Sequence, residues 1–260
     1  KYGLNIAICG VVLINIISEF SSIIVLMIFL PKEHINIHDF KFDKSNMKDI
    51  LEISIPTTTT RLIGSLTYFL EPIILTNVLL KVGYNNSYIT LEYGIINGYV
   101  YPLLLLPSFF TMAISNALLP VVSNRYSNND YKYTKYKIKQ AIIISLFIGI
   151  PCTIIFMIFP DKLLHYIYHT NEGVNYIKII APFFILHYIQ SPLTAALQGM
   201  NKAKCAMDGT FIGAIIRTIL LFVISYFKVG LWGLIIASIS NIIFIKFHHL
   251  YYVKKYLKEK

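Results

Sequence analysis

Charge is scarce in this chain. Only 14% of its 260 residues are Asp, Glu, Lys or Arg, against roughly 25% in soluble domains. With 56% hydrophobic residues and a mean hydropathy of +0.62, too little polar surface remains for a free-standing soluble domain. Cysteine is also sparse: Cys9, Cys152 and Cys205 are too few and too scattered for a disulfide framework. The chain has no Gly-rich phosphate loop, no His/Cys metal spacing and no nucleophile elbow, and its carboxylates are not paired. We therefore expect no catalytic residue, no metal and no cofactor, and a protein that is not an enzyme. The period-2 alternation of a membrane β-barrel is absent as well. No charged segment with a cleavage site precedes the first apolar run, and the chain opens on Lys1. It reads as a piece of a longer protein.

Long apolar runs are abundant. Hydropathy marks about seven candidate spans, near 4–30, 50–80, 94–120, 138–160, 174–199, 209–228 and 230–252. Each is long enough for the roughly 20 residues that cross a bilayer. The expected fold class is therefore all-α, a polytopic transmembrane helical bundle. The formal net charge of +10 does not indicate nucleic acid, because Lys and Arg gather in short connections between apolar runs. The basic stretches 31–48, 123–137 and 201–207 alternate with 83–93, which has neither Lys nor Arg, and 161–173, which has only Lys162. By the positive-inside rule the basic loops and the C-terminus are cytoplasmic, in a multi-pass protein of the plasma membrane. The longest mixed-charge connection, 31–48, is the expected boundary. Residues 1–30 are then the last helix of a preceding lobe, 49–253 a six-helix lobe, and 254–260 a basic tail.

The stretch from Ile50 to Leu80 is unusual for a helix that only anchors a protein. It carries Arg61, Glu71, Pro56 and Pro72, and an ionisable group at membrane depth normally faces a cavity or a partner. Counting at 1.5 Å per residue puts Arg61 roughly 16 Å, and Arg217 roughly 12 Å, from the starts of their spans. The two guanidiniums are thus expected at similar depth, where their donor forks suit a phosphate or pyrophosphate. The alternative is that each is satisfied by Glu19, Glu71 or backbone carbonyls and holds helices together. Arg61 and Glu71, about 15 Å apart along one helix, do not pair with each other. Glu71 beside Pro72, and Glu19 in the first span, are candidates for gating or ion coupling. Asn97, Asn116 and Gln198 are the expected polar cavity groups. Lys246, His248 and His249 read as an interfacial belt beside Tyr251 and Tyr252, and His187 as a hydrogen-bonded core histidine. Were the protein instead a membrane-embedded transferase acting on a lipid-linked substrate, His187 would be its base.

Three stretches carry a resemblance: EISIPTTTTRLIGSLTYFLEPIIL, YGIINGYVYPLLLLPSFFTMAISNALLPVVS and APFFILHYIQSPLTAALQGMNKAK. They resemble the second half of the stage V sporulation protein B-like polysaccharide biosynthesis and export family. That family belongs to the MOP superfamily, with the MurJ lipid II flippases and the MATE antiporters. The resemblance runs from about residue 48 to 250. It implies two six-helix lobes about a central cavity that opens alternately to each side, this chain being the C-terminal lobe. It also implies a lipid-linked, pyrophosphate-bearing cell-wall or spore-cortex precursor as cargo, with Arg61 among the residues that hold it. The expected partners are the lipid bilayer, that lipid-linked oligosaccharide, a coupling ion and the N-terminal lobe. The first five helices of the family pattern are missing. A MATE-like multidrug cation antiporter is the competing transport reading, disfavoured because midplane arginines suit anions.

Overall fold

The structure, a computed structural model, describes residues 4–29 and 44–258. All regular structure among them is helical. The chain divides into two units, Lys1–Lys44 and Ser45–Lys260. The first contains α1 (Leu4–Phe29), an apolar helix on which Glu19 is exposed. Most of the expected boundary loop, residues 31–43, lies outside the described residues.

The second unit is a bundle. It comprises α2 (Lys44–Val82), α3 (Asn86–Ile95), a π turn (Ile96–Val100), α4 (Tyr101–Leu105), α5 (Ser108–Ser127) and α6 (Tyr131–Ile158). After these come α7 (Pro160–Tyr168), α8 (Val174–Tyr188), α9 (Gln190–Gly199), α10 (Ala203–Ser225) and α11 (Trp232–Lys258). Among the described residues five spans are long and apolar enough to cross a membrane, with α8 and α9 forming one of them. A sixth arises if the bent pair Asn86–Leu105 and Ser108–Ser127 is one crossing, while the described part of α1 adds the shorter apolar stretch Leu13–Phe29.

The spans lie where hydropathy puts them, but their ends do not. The expected loop 83–93 is mostly α3, the connection 161–173 contains α7, and the basic tail continues α11 to Lys258. Hydropathy reports where a helix leaves the apolar layer, whereas local capping decides where it stops. Asn85 caps α3 by accepting from the Ser87 N–H at 3.2 Å. Asp130 caps α6 by accepting from the Tyr133 N–H at 3.1 Å, and Gly83 ends α2 at φ 100°. The span expected at 94–120 is bent by 51°. Pro107 lies at the break, where a proline in mid-helix would both remove a donor and clash with the turn before it.

Two clusters form the core. One joins Leu75 and Leu79 of α2 to Ile96, Leu103, Ile177, Phe184, Tyr188 and Leu234. The other joins Leu118 and Val122 of α5 to Ile138, Leu193 and Leu197. Close approach is set by small residues. A Cβ on Gly149 would lie 2.4 Å from the Tyr188 ring, and one on Gly213 2.6 Å from Asn241 Oδ1 and 2.7 Å from Ile245. Gly209 meets His248 in the same way, so Gly209 and Gly213, one turn apart, form a contact surface of α10 on α11. Tyr188 is pinned by donating to the Leu104 carbonyl at 2.7 Å.

Candidate functional site

The bundle holds a partly open cavity of about 430 Å³. It lies among α2, the π turn, α4 and α8 to α11. Gly64, Thr67 and Tyr68 of α2 form one wall; Asn97, Tyr101 and Pro102 form another. Phe184, His187 and Gln190 come from the α8–α9 segment, and Thr210, Ala214 and Arg217 from α10. Ser238, Asn241, Ile242 and Ile245, spaced for one helical face, complete it from α11. Asn97 sits in the π turn, and its side chain donates to the Tyr93 carbonyl at 3.2 Å. Such turns open the backbone ladder locally, which places the Asn97 amide on the cavity side.

Arg217 is the ionic group of this cavity. Its guanidinium is 6% exposed and donates to the carboxylate of Glu71, itself 2% exposed. The Tyr93 hydroxyl donates to the other Glu71 oxygen at 3.3 Å. The guanidinium carbon also stands 5.3 Å from the centre of the Tyr68 ring, a cation–π distance. Arg217 Nε has no partner among the described residues. A buried pair of this kind is retained because either charge alone would be costly in an apolar bundle.

The expectation of two level arginines is overturned. Arg217 contacts Glu71, and Glu71 is about 15 Å further along α2 than Arg61 at 1.5 Å per residue. Depth counted from the edge of an apolar run misplaces them, because the contact between Arg217 and Glu71 sets the two apolar edges at different levels. Arg61 lies on the early part of α2, is exposed, and forms no ion pair with a described residue. Arg217 and Asn97 line the cavity, and Glu71 stands behind it as the counter-ion. Asn116 is exposed and Gln198 half-buried, and neither lines it. Glu19 lies in the other unit.

A second correction concerns α11. The interfacial belt expected at Lys246, His248 and His249 is largely internal: Lys246 is 0% and His249 1% exposed. Tyr68, Tyr101, Gln190 and Asn241 also line the cavity but were not singled out from sequence. The signal for the α11 residues was present in the 238, 241, 242, 245 spacing within an apolar helix. Those for Tyr68 and Gln190 depend on helix rotation and had none.

The comparisons with known proteins agree with this architecture. The polysaccharide biosynthesis protein family matches residues 2–126 and the MatE family residues 97–223. Stage V sporulation protein B of Bacillus subtilis (strain 168) is 33% identical over 98% of this chain and 51% of its own length. Lipid II flippase MurJ of the same organism is 26% identical over 49% of this chain and 24% of its own length. A MATE protein crystallised in the bent conformation superposes with a TM-score of 0.75 at 16% identity, covering 92% of this chain and 52% of that one. Fold and membrane-length helices thus define a multi-pass α-helical membrane protein with the MATE architecture. The chain belongs to the MOP superfamily, within which it is similar to stage V sporulation protein B. It spans about half the length of that relative.

Proposed function

We propose that this chain is the C-terminal lobe of a plasma-membrane flippase that exports a lipid-linked, pyrophosphate-bearing cell-wall or spore-cortex precursor by alternating access. The observation that carries this reading is the cavity at Arg217, within a chain similar to stage V sporulation protein B along nearly all its length. Glu71 takes one guanidinium edge and leaves the Nε donor unused, so an anion entering the cavity would find a donor already oriented. Arg61, exposed on α2 and without an ion pair among the described residues, supplies a second cation for the same anionic cargo. The N-terminal lobe supplies the facing wall, the C-terminus is cytoplasmic, and an ion or the membrane potential drives the cycle, with Glu71 as the coupling group of this lobe.

The test is flipping of a lipid-linked precursor by the full-length protein with Arg61→Ala and with Arg217→Lys, which keeps the charge beside Glu71. Loss of flipping with unchanged protein levels supports the reading. Full flipping in both variants removes them from the cargo path.

A MATE-like cation antiporter is favoured by one observation. The rings of Tyr68 and Tyr101 line the cavity, with the Glu71 carboxylate and the Tyr93 hydroxyl paired behind it, a setting that suits organic cations. Efflux of a fluorescent organic cation, abolished by Glu71→Gln with precursor flipping intact, would select it.

A further inference from the structure

Lys246 is the least explained residue of the bundle. Its side chain is wholly buried, yet the Nζ group has no hydrogen-bond partner and no ion pair among the described residues. The carboxylates of the site are engaged elsewhere, Glu71 with Arg217. The neighbours close enough to feel its charge are the two histidines His187 of α8 and His249 of α11. His249 is itself committed, within 3.4 Å of both Thr194 Oγ1 and the Ala206 carbonyl. His187 lines the cavity.

Helix geometry decides where the amine points. Lys246 follows Ile242 by four residues, so both lie on one face of α11, and Ile242 lines the cavity. Long helical side chains lean back over the turn N-terminal to their own Cα. Lys246 does not itself line the cavity; its stem leans from its own turn toward the Ile242 turn, behind the end that Thr210, His187 and Ile245 line. Arg217 occupies the opposite end. Along α10 the separation from Thr210 to Arg217 is seven residues, roughly 10 Å.

We propose that the His187 end of the cavity, behind which the Lys246 amine is enclosed, is a second anion station, at which Lys246 contacts a phosphate or pyrophosphate group before or after Arg217 does. This rests on the flippase reading and deepens it. A cargo anion crossing the lobe must travel further than one guanidinium reaches, and a second station at the Thr210 end of the cavity, roughly 10 Å along α10 from Arg217, lets it move without ever lying unpaired in an apolar bundle. Each station is quiet when empty, Arg217 through Glu71 and Lys246 through enclosure. The anion is then the missing partner of the buried amine, and His187, a donor or acceptor according to its tautomer, borders the same end.

The experiment measures inorganic pyrophosphate binding to the protein in lipid nanodiscs by calorimetry, together with the thermal midpoint. Lys246→Met keeps the stem and removes the donor; Lys246→Arg restores a cation. We expect Lys246→Met to melt no lower than the parent while binding pyrophosphate at least tenfold more weakly, with Lys246→Arg recovering most of the affinity. Parental affinity in Lys246→Met overturns the assignment of Lys246 and leaves the flippase reading standing. Absence of pyrophosphate binding by the unmodified protein overturns both. If Lys246→Met does not fold, parental affinity in His187→Phe together with loss of no affinity in Lys246→Gln overturns the station.

Discussion

Glu71 and Arg217, 146 residues apart in sequence, form a buried ion pair that ties α2 to α10. The remainder of α2 holds to the bundle through apolar contacts near its C-terminal end, Leu75 and Leu79 among them. The pair is thus both the electrostatic centre of the cavity and the point at which a largely exposed helix is fixed to its neighbours.

Breaking that pair should be expensive. Removing one partner of a buried pair leaves an uncompensated charge and costs about 3–5 kcal/mol. Glu71→Leu and Arg217→Met singly should therefore lower the thermal midpoint of the protein in detergent sharply. The double variant, with two apolar groups facing each other, should recover roughly 3 kcal/mol over either single. Additive losses in the cycle would show that the two side chains do not stabilise one another.

Arg61→Ala is expected to leave stability within about 0.5 kcal/mol of the parent, since the side chain is exposed and forms no ion pair with a described residue. Any loss of transport in that variant then reports on cargo or on a partner surface. A large drop in the melting midpoint would instead indicate a structural role.

Gly149→Ala should destabilise by about 1–3 kcal/mol, the usual cost of overpacking. The new Cβ would lie 2.4 Å from a Tyr188 ring held in place by its bond to the Leu104 carbonyl. Adding Tyr188→Leu should relieve most of the clash, though it leaves the Leu104 carbonyl without its donor at about 1–3 kcal/mol. Melting curves of the two singles and the double separate the effects.

Topology has its own test. In a background with Cys9, Cys152 and Cys205 replaced by Ser, Ser127→Cys and Glu172→Cys place one thiol at each end of the bundle, both at exposed positions. A membrane-impermeant maleimide should label Glu172→Cys in intact cells and Ser127→Cys only after lysis. The reverse pattern would invert the charge-based orientation.

The elements differ in how far sequence alone reveals them. Apolar runs located every span, because the bilayer selects for length and hydrophobicity and both are local properties. The split between α10 and α11 was legible for the same reason, as Lys228 and Gly230 interrupt the run. Helix ends were not: α3 and the amphipathic α7 are extensions whose polar residues resemble loop. Arg217, Glu71 and Asn97 were recognisable as costly polar groups at membrane depth. Their mutual arrangement was not, and the inferred match in depth between Arg61 and Arg217 failed because apolar edges are not a common origin for helices that start at different levels.

Composition and periodicity by themselves determined that this chain is a multi-pass helical bundle with ionisable groups at membrane depth. Only the tertiary structure decided that Glu71 neutralises Arg217, that Arg61 stays exposed, and that Lys246 is enclosed without a partner among the described residues. The physical reason is that hydrophobicity acts residue by residue along the chain. Charge pairing depends on the rotation and offset of helices far apart in sequence, which are settled only when their side chains pack.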